Sequence, residues 1–124
     1  MYKYKYKLNK GFLKKWINAL RNTEYEQMTY NLCLDGSYCA IGIACKEVMN
    51  VKDIHMYNKG EISDIVGCVE IYRDLELFKI KFGNDGYNKY ILNKLLNQVA
   101  RLNDVLNYSF YDISVWLEEN VEGI

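Results

Sequence analysis

The sequence lacks several features that would place it in a membrane or secreted class. It has no run of about 18 apolar residues, the length that a membrane-spanning helix needs. Its first residues lack the apolar stretch of a secretion signal. We therefore expect a cytoplasmic protein without a membrane partner. Repeats, linkers and low-complexity blocks are also absent, which predicts one domain over residues 1–124.

The motifs of the common enzyme classes are missing as well. The chain has no glycine-rich dinucleotide-binding motif, no phosphate-binding P-loop and no Gly-x-Ser-x-Gly nucleophile motif. None of its 4 cysteines forms a Cys-x-x-Cys pair, and His55 is its 1 histidine. We interpret the cysteines as small buried side chains, and adjacent carboxylates such as Glu118 and Glu119 as solvated surface. We predict no catalytic residue, no metal site and no cofactor.

Proline is absent too, whereas lysine, asparagine, isoleucine and tyrosine are abundant. Those four residues have AT-rich codons, so the composition indicates a gene from a low-GC bacterium or one of its phages. The 12 tyrosines provide flat apolar rings with polar tips, which suit stacking on bases and gripping small ligands. Codon bias is a competing explanation for their number. With 50% hydrophobic residues, the chain can form a substantial core.

The charge is balanced overall but differs between the two ends of the chain. The formal net charge is +0, yet residues 1–22 carry basic side chains and no acid, and residues 102–124 carry acids and no base. Tyrosine and lysine alternate through residues 1–8, which predicts a strand or arm with one half-buried face. A basic arm can follow a phosphate backbone, so nucleic-acid binding is one alternative. The balanced total favours a solvated surface instead.

Hydrophobic spacing predicts an α+β single domain that is predominantly α-helical, with a minor antiparallel sheet. A first helix is predicted over residues 10–22, and a longer helix is capped by Asn88 and ends at Asn103. Ser109 begins the last helix, where Asp112 can complete a capping box. The predicted core-facing residues of the first and last helices are Phe12, Leu13, Trp16, Ile17, Leu20, Phe110, Ile113, Trp116 and Leu117.

The segment after the first helix combines a strand, a turn and an ambiguous stretch. Residues 29–34 predict a short strand, and Asp35-Gly36 predicts a turn. Residues 37–49 suit either the return strand of a hairpin or a helix capped by Ser37, and we favour the helix. Small residues at positions 40, 42 and 44 would let another backbone approach closely. Weak patterns predict loops over residues 51–67, and alternation predicts a small hairpin over residues 69–82.

Several fragments between residues 12 and 119 form a pattern that is defined by their order and spacing along the chain. They are Trp16-x-x-Ala19-Leu20-Arg21, Tyr25-x-Gln27, Tyr38-Cys39-Ala40-Ile41-Gly42-Ile43-Ala44-Cys45, Leu102-Asn103-Asp104 and Ser109-Phe110-x-x-Ile113-Ser114. This arrangement resembles a family of small phage and prophage proteins without an assigned activity. That family has the pattern Trp-x-x-Ala-Leu-Arg-Ser-Gly-x-Tyr-x-Gln, then Tyr-Cys-Cys-Leu-Gly-Val-x-Cys, then Leu-Asn-Asp and a Phe-x-x-Ile helix. The chain departs from it at Asn22-Thr23 and at Ala40, which replaces a cysteine and weakens a paired-thiol role.

The resemblance implies a phage setting, in which proteins of this size often disarm host defence. By analogy, we expect an inhibitor of bacterial immune signalling that binds a nucleotide-derived second messenger and sequesters it without chemistry. We also expect a homo-oligomer, because proteins that sequester such signals often form their pockets between subunits. The alternatives are a protein-interaction module that blocks a host defence protein directly and an enzyme that degrades the signal.

The candidate ligand-binding residues carry rings, amides and helix-start N–H groups, which suit a base, a ribose and a phosphate. They are Arg21, Tyr25, Gln27, Tyr38, Asn103, Asp104, Ser109 and Phe110. Two of these assignments have a purely structural alternative. Asn103-Asp104 could simply terminate a helix, and Phe110 could simply be part of the core.

Overall fold

The computed structural model describes residues 6–8, 10–50, 54 and 89–123. In chain order, the elements are β1 (Tyr6–Leu8), α1 (Lys10–Asn22), β2 (Cys33–Leu34), β3 (Ser37–Tyr38), α2 (Ala40–Ile43), a π-helical turn (Ala44–Val48), α3 (Lys89–Asp104), α4 (Phe110–Asn120) and β4 (Val121–Gly123). The described part is mostly helical with a small antiparallel sheet, which confirms the predicted fold class. The predicted hairpin over residues 69–82, most of the predicted loops over residues 51–67, His55 and Cys68 lie outside the described residues.

Helix α1 has the bounds that its apolar spacing predicts. It buries Phe12, Leu13, Trp16 and Leu20, which recur on one face of the helix. The Trp16 side chain is fully buried, and its indole N–H donates to the carbonyl of Ala40 at 3.0 Å. This hydrogen bond joins the middle of α1 to the start of α2.

Helix α4 packs against α1 and begins with the predicted capping box. The Ser109 hydroxyl accepts from the Asp112 N–H at 3.1 Å, and the Asp112 carboxylate accepts from the Ser109 N–H at 3.4 Å. These two bonds use donors that a helix start otherwise leaves unpaired. The buried residues on this helix include Phe110, Ile113 and Leu117.

The two ends of the described chain meet in a parallel pair of strands. Tyr6 lies opposite Val121, and Leu8 lies opposite Gly123. Sequence patterns do not predict this pairing, because β4 follows α4 directly and has only 3 residues. Arg21, at the end of α1, contacts Ser114 on α4, whereas Lys10, at the start of α1, lies beside Gly123 after α4, so the two helices run antiparallel.

The prediction that Ser37 caps a helix is wrong. Ser37 lies in β3, which pairs with β2, and α2 begins three residues later with Cys39 as its cap. Asp35 and Gly36 have φ angles of +50° and +81°, the left-handed pair that a two-residue hairpin turn favours. This turn returns the chain as a strand before the helix can begin.

Gly42 lies where a loop backbone crosses α2. A Cβ on Gly42 would collide with the carbonyl oxygen of Leu32. The Cys39 N–H donates to the same carbonyl at 3.3 Å. The close backbone approach predicted at the small residues is therefore confirmed, with a loop as the neighbour.

Helix α3 ends one residue beyond the predicted end, at Asp104. It packs on α2 and α4, and it buries Leu95, Leu96, Val99 and Leu102. Within the described ranges, no helix has the length and apolar character needed to cross a membrane.

Candidate functional site

Candidate residues from distant motifs meet around the buried side chain of Asn103, which is 1% exposed. Its Oδ1 accepts from Gln27 Nε2 at 2.8 Å and from the Ala40 N–H at 3.1 Å. Its Nδ2 donates to the Met28 carbonyl and to Asp104 Oδ1, both at 2.8 Å. We call these five residues the asparagine hub. The hub ties the loop after α1, the start of α2 and the end of α3 together, and it uses every donor and acceptor of the Asn103 amide.

Tyr38 and Tyr25 lie beside the hub. The Met28 N–H donates to the Tyr38 carbonyl, and the Tyr38 N–H donates to the Glu26 carbonyl, each at 2.9 Å. The rings of Tyr25 and Tyr38 are in contact, with centroids 4.6 Å apart. Burial raises the pKa of Tyr38 to about 12. This aromatic pair therefore joins the loop that carries Gln27 to β3.

Arg21 lies elsewhere, at the contact between α1 and α4. Its Nε donates to Ser114 Oγ at 2.9 Å, and its two terminal nitrogens donate to the Glu118 carboxylate at 3.2 and 2.6 Å. The guanidinium carbon is 5.5 Å from the centroid of the Tyr111 ring. The hydrogen-bonded ion pair raises the pKa of Arg21 and lowers the pKa of Glu118. Arg21 therefore fastens the two helices together and is not part of the hub.

Ser109 and Phe110 form the start of α4. The Ser109 hydroxyl is used in the capping box, and Phe110 is buried in the core. Gln27 Nε2 also donates to the carbonyl of Tyr108 at 2.7 Å, so the hub reaches this helix start. The structure thus brings together Gln27, Tyr38, Asn103 and Asp104, with Tyr25 and Ser109 at the margin, and it places Arg21 apart.

A groove of about 550 Å³ lies along α3, next to the hub. Lys94, Gln98 and Arg101 line it at intervals of one helical turn, so they share one side of α3. We call it the α3 groove. The other lining residues are Tyr6, Tyr30, Asn97, Ala100, Asp104 and Val105. Two basic side chains, polar amides and two tyrosines therefore converge on one concave surface.

Tyr30 is held in a strained conformation at this groove. Its φ angle is +65°, in the left-handed region, which costs a residue with a Cβ about 1–2 kcal/mol. Its N–H donates to Asp104 Oδ1 at 3.1 Å, and that oxygen is also bound by Asn103. Tyr30 remains 43% exposed. The hub therefore stabilises a strained tyrosine beside the groove, and strain of this kind is typical of functional sites.

Asn97 adds an unpaired acceptor to the groove wall. Its Oδ1 is buried and has no hydrogen-bond partner among the residues that the structure describes. Such a group costs about 1–3 kcal/mol. A ligand N–H that reaches Asn97 would remove this cost.

Among the residues that line this groove, the sequence predicted Asp104 as a ligand-binding residue. It did not identify Tyr30, Lys94, Asn97 and Arg101. A signal existed for the residues on α3, because Lys94-x-x-Asn97-Gln98-x-x-Arg101 is a polar stripe at helical spacing. No sequence signal marks Tyr30. Left-handed backbone is expected at glycine or asparagine, and tertiary contacts impose it on this tyrosine.

The thiols that the structure describes differ in burial, and Cys33 is only partly buried. Cys39 and Cys45 are buried, and burial raises the pKa of the Cys45 thiol far above its ordinary value. A thiol in such surroundings is unreactive. Over residues 6–8, 10–50, 54 and 89–123, no group of three or more His, Cys, Asp or Glu side chains is placed to hold a metal ion.

No protein-family model, curated protein or solved structure matches this chain. The resemblance across residues 12–119 stays a prediction. The structure adds one fact about its fragments: Gln27, Tyr38, Ala40 and Asn103, which come from three of them, meet at or beside the asparagine hub.

Proposed function

We propose that this protein binds a nucleotide-derived signalling molecule in the α3 groove and sequesters it without chemistry. In the phage setting that the family resemblance implies, the protein acts in the cytoplasm of a bacterial host and withholds an immune signal from its receptor. The observation that carries the proposal is the convergence of Tyr30, Lys94 and Arg101 on one groove.

The chemistry of the groove suits a nucleotide. An exposed tyrosine offers a flat ring on which a base can stack. The ammonium of Lys94 and the guanidinium of Arg101 suit phosphate oxygens, and the guanidinium can bind two of them at once. The amides of Asn97 and Gln98 can pair with the polar edge of a base. The volume of about 550 Å³ lies within the usual range for small-molecule sites.

The arrangement of Asp104 favours binding over catalysis. Asp104 is the acidic residue among the described lining residues of the groove. Its Oδ1 accepts from the N–H of Tyr30 and from the amide of Asn103. It is therefore engaged in positioning Tyr30, whereas a general acid or base must reach a reacting atom of the substrate.

The test is recovery of an intact ligand. The purified full-length protein is incubated with a panel of cyclic dinucleotides and cyclic ADP-ribose isomers, separated from free ligand and denatured. We expect mass spectrometry of the released fraction to show one panel member unchanged. Arg101→Ala should weaken binding about 10- to 100-fold, because a charge-assisted hydrogen bond is lost. Lys15→Ala, on α1, is the matched control and should bind normally. Retention of no panel member, or release of an altered product, would contradict the proposal.

Tyr30 provides a second and independent test. Tyr30→Gly removes the ring and also relieves the left-handed strain, so stability should stay equal or rise by up to about 1 kcal/mol. Ligand binding should fall, and Tyr30→Phe should keep it. Calorimetric titration and thermal melting of both variants measure the two effects. If the glycine variant binds as well as the parent protein, the ring has no part in the site.

An exposed apolar loop between α3 and α4 favours a second candidate function. Val105 is 53% exposed and Leu106 is 46% exposed, which is typical of a protein contact when such residues adjoin. A protein-interaction module that blocks a host defence protein would use this loop. Leu106→Ser would then lose the host partner in a pull-down and leave ligand binding in the α3 groove unchanged.

A further inference from the structure

Helices α1 and α4 carry exposed charges of opposite sign. Lys10, Lys14 and Lys15 are exposed on α1, whereas Asp112 and Glu119 are exposed on α4. The two helices are packed together, so the face that they form has a basic side on α1 and an acidic side on α4. The whole chain has a formal net charge of +0, so two copies have no net electrostatic repulsion between them.

The basic side borders a groove of about 800 Å³ between α1 and α4. Lys10, Lys14 and Arg21 line it at helical spacing, and the partly buried Ile17 contributes apolar surface. Arg21 is already held by Glu118, at 2.6 Å. The lysines are therefore the charges of this groove that are best placed to meet an acidic partner.

The acidic side contains a smaller notch of about 410 Å³ on α4. Asp112 and Glu119 line it together with Tyr108, Val115 and Trp116. Two carboxylates beside aromatic residues form a surface that suits a lysine side chain, whose ammonium pairs with carboxylates and whose stem packs on rings. The notch matches the chemistry of the exposed α1 lysines.

We propose that a second copy of this chain docks on this face, with the α1 lysines of each copy in the acidic notch of the other. A twofold axis parallel to the two helices places each basic side opposite the partner's acidic side, so the contact is self-complementary. A perpendicular axis would place like charges together. The occupant is therefore a second copy in one defined orientation.

The charged residues of this contact do not line the α3 groove, and the two surfaces meet only where the Trp116 ring of the notch touches the Tyr6 ring of the groove, among the residues that the structure describes. The dimer goes beyond the ligand-binding proposal, and either can fail without the other. A protein that retains a ligand as a monomer would overturn the dimer alone. A protein that dimerises through this face but retains no ligand would overturn the binding proposal alone.

The test exchanges the charges across the contact. Sedimentation and light scattering should show a dimer for the parent protein at low salt, weakened as ionic strength rises. Lys14→Glu should be monomeric because the new carboxylate would face Glu119, and Glu119→Lys should be monomeric because the new ammonium would face Lys14. An equimolar mixture of the two variants should restore dimers. In the mixed dimer, one contact pairs the two substituted residues, whose charges are opposite, and the other contact pairs the native Lys14 with the native Glu119. Circular dichroism of each variant checks that it is folded.

The mixing step distinguishes this contact from a dimer formed through another face. A parent protein that is monomeric at low salt overturns the proposal. So does a dimer that survives both single charge reversals, because it must then use a different surface. Variants that stay monomeric after mixing also overturn it. Lys94→Glu, whose side chain lines the α3 groove, is the control and should leave the dimer intact.

Discussion

At the scale of single residues, the asparagine hub shows how one amide can organise several segments. Asn103 bonds to a side chain 76 positions away and to a backbone N–H 63 positions away. Leu102-Asn103-Asp104 could be interpreted from sequence as a ligand-binding motif or as the end of a helix. The structure shows that α3 does end there and that the Asn103 amide is satisfied within the protein.

We predict that Asn103→Ala destabilises the protein by about 2–5 kcal/mol, since it leaves the Ala40 N–H and the Met28 carbonyl without their partner. Urea denaturation followed by circular dichroism measures the change. Asn107→Gly is the control, because Asn107 is exposed and has a φ angle of +54° that glycine adopts easily. An unchanged midpoint for the alanine variant would show that the hub contributes nothing to stability.

The Arg21–Glu118 pair makes a pH-dependent contribution at the same scale. The hydrogen bond from Arg21 lowers the folded-state pKa of Glu118. A lowered carboxyl pKa adds stability above the pKa of the free group, and this stability is lost as the pH falls through the folded pKa. Glu118→Gln should therefore lower the melting temperature slightly at pH 7 and leave it unchanged in acid, where both states are protonated. Glu122→Gln is the control. An equal loss of melting temperature at both pH values would show that packing, and not the ion pair, causes the change.

At the scale of elements, the short helix α2 depends on a close backbone contact whose partner its own sequence does not identify. Gly42 has no Cβ, so the carbonyl of Leu32 can approach the helix. The alternation of small residues around Gly42 predicted such an approach, but it could not say which segment would come close. Only the hairpin turn at Asp35 and Gly36 brings that loop back across the helix.

Gly42→Ala should destabilise the protein by about 1–3 kcal/mol, because the added methyl group displaces the loop backbone. Gly11→Ala, at an exposed position in α1, is the control and should be neutral or stabilising by up to about 1 kcal/mol. Thermal melting of both variants measures the difference. Equal melting temperatures for the two would mean that the loop moves aside without cost.

At the scale of the whole molecule, the proposed site and the proposed dimer contact use different parts of the same chain. The α3 groove depends on Tyr30, which comes from the loop after α1 and is held there by Asp104. The α1–α4 face depends on the antiparallel packing of helices that are joined by their flanking strands. Both arrangements therefore exist only when the chain is folded as a unit. Neither can be assembled from an isolated helix.

The sequence by itself determined the features that neighbouring residues control. The bounds of α1, the Ser109 capping box, the Asp35-Gly36 turn and the need for a small residue at Gly42 all follow from spacing and backbone preference within a few positions. Only the tertiary structure decided the pairing of β1 with β4, the start of α2 and the hub around Asn103. It also decided the strain at Tyr30. Each of these features depends on hydrogen bonds or packing between segments that are far apart in sequence. The energies of these contacts outweigh the local backbone preferences only after the chain has folded and brought the segments together.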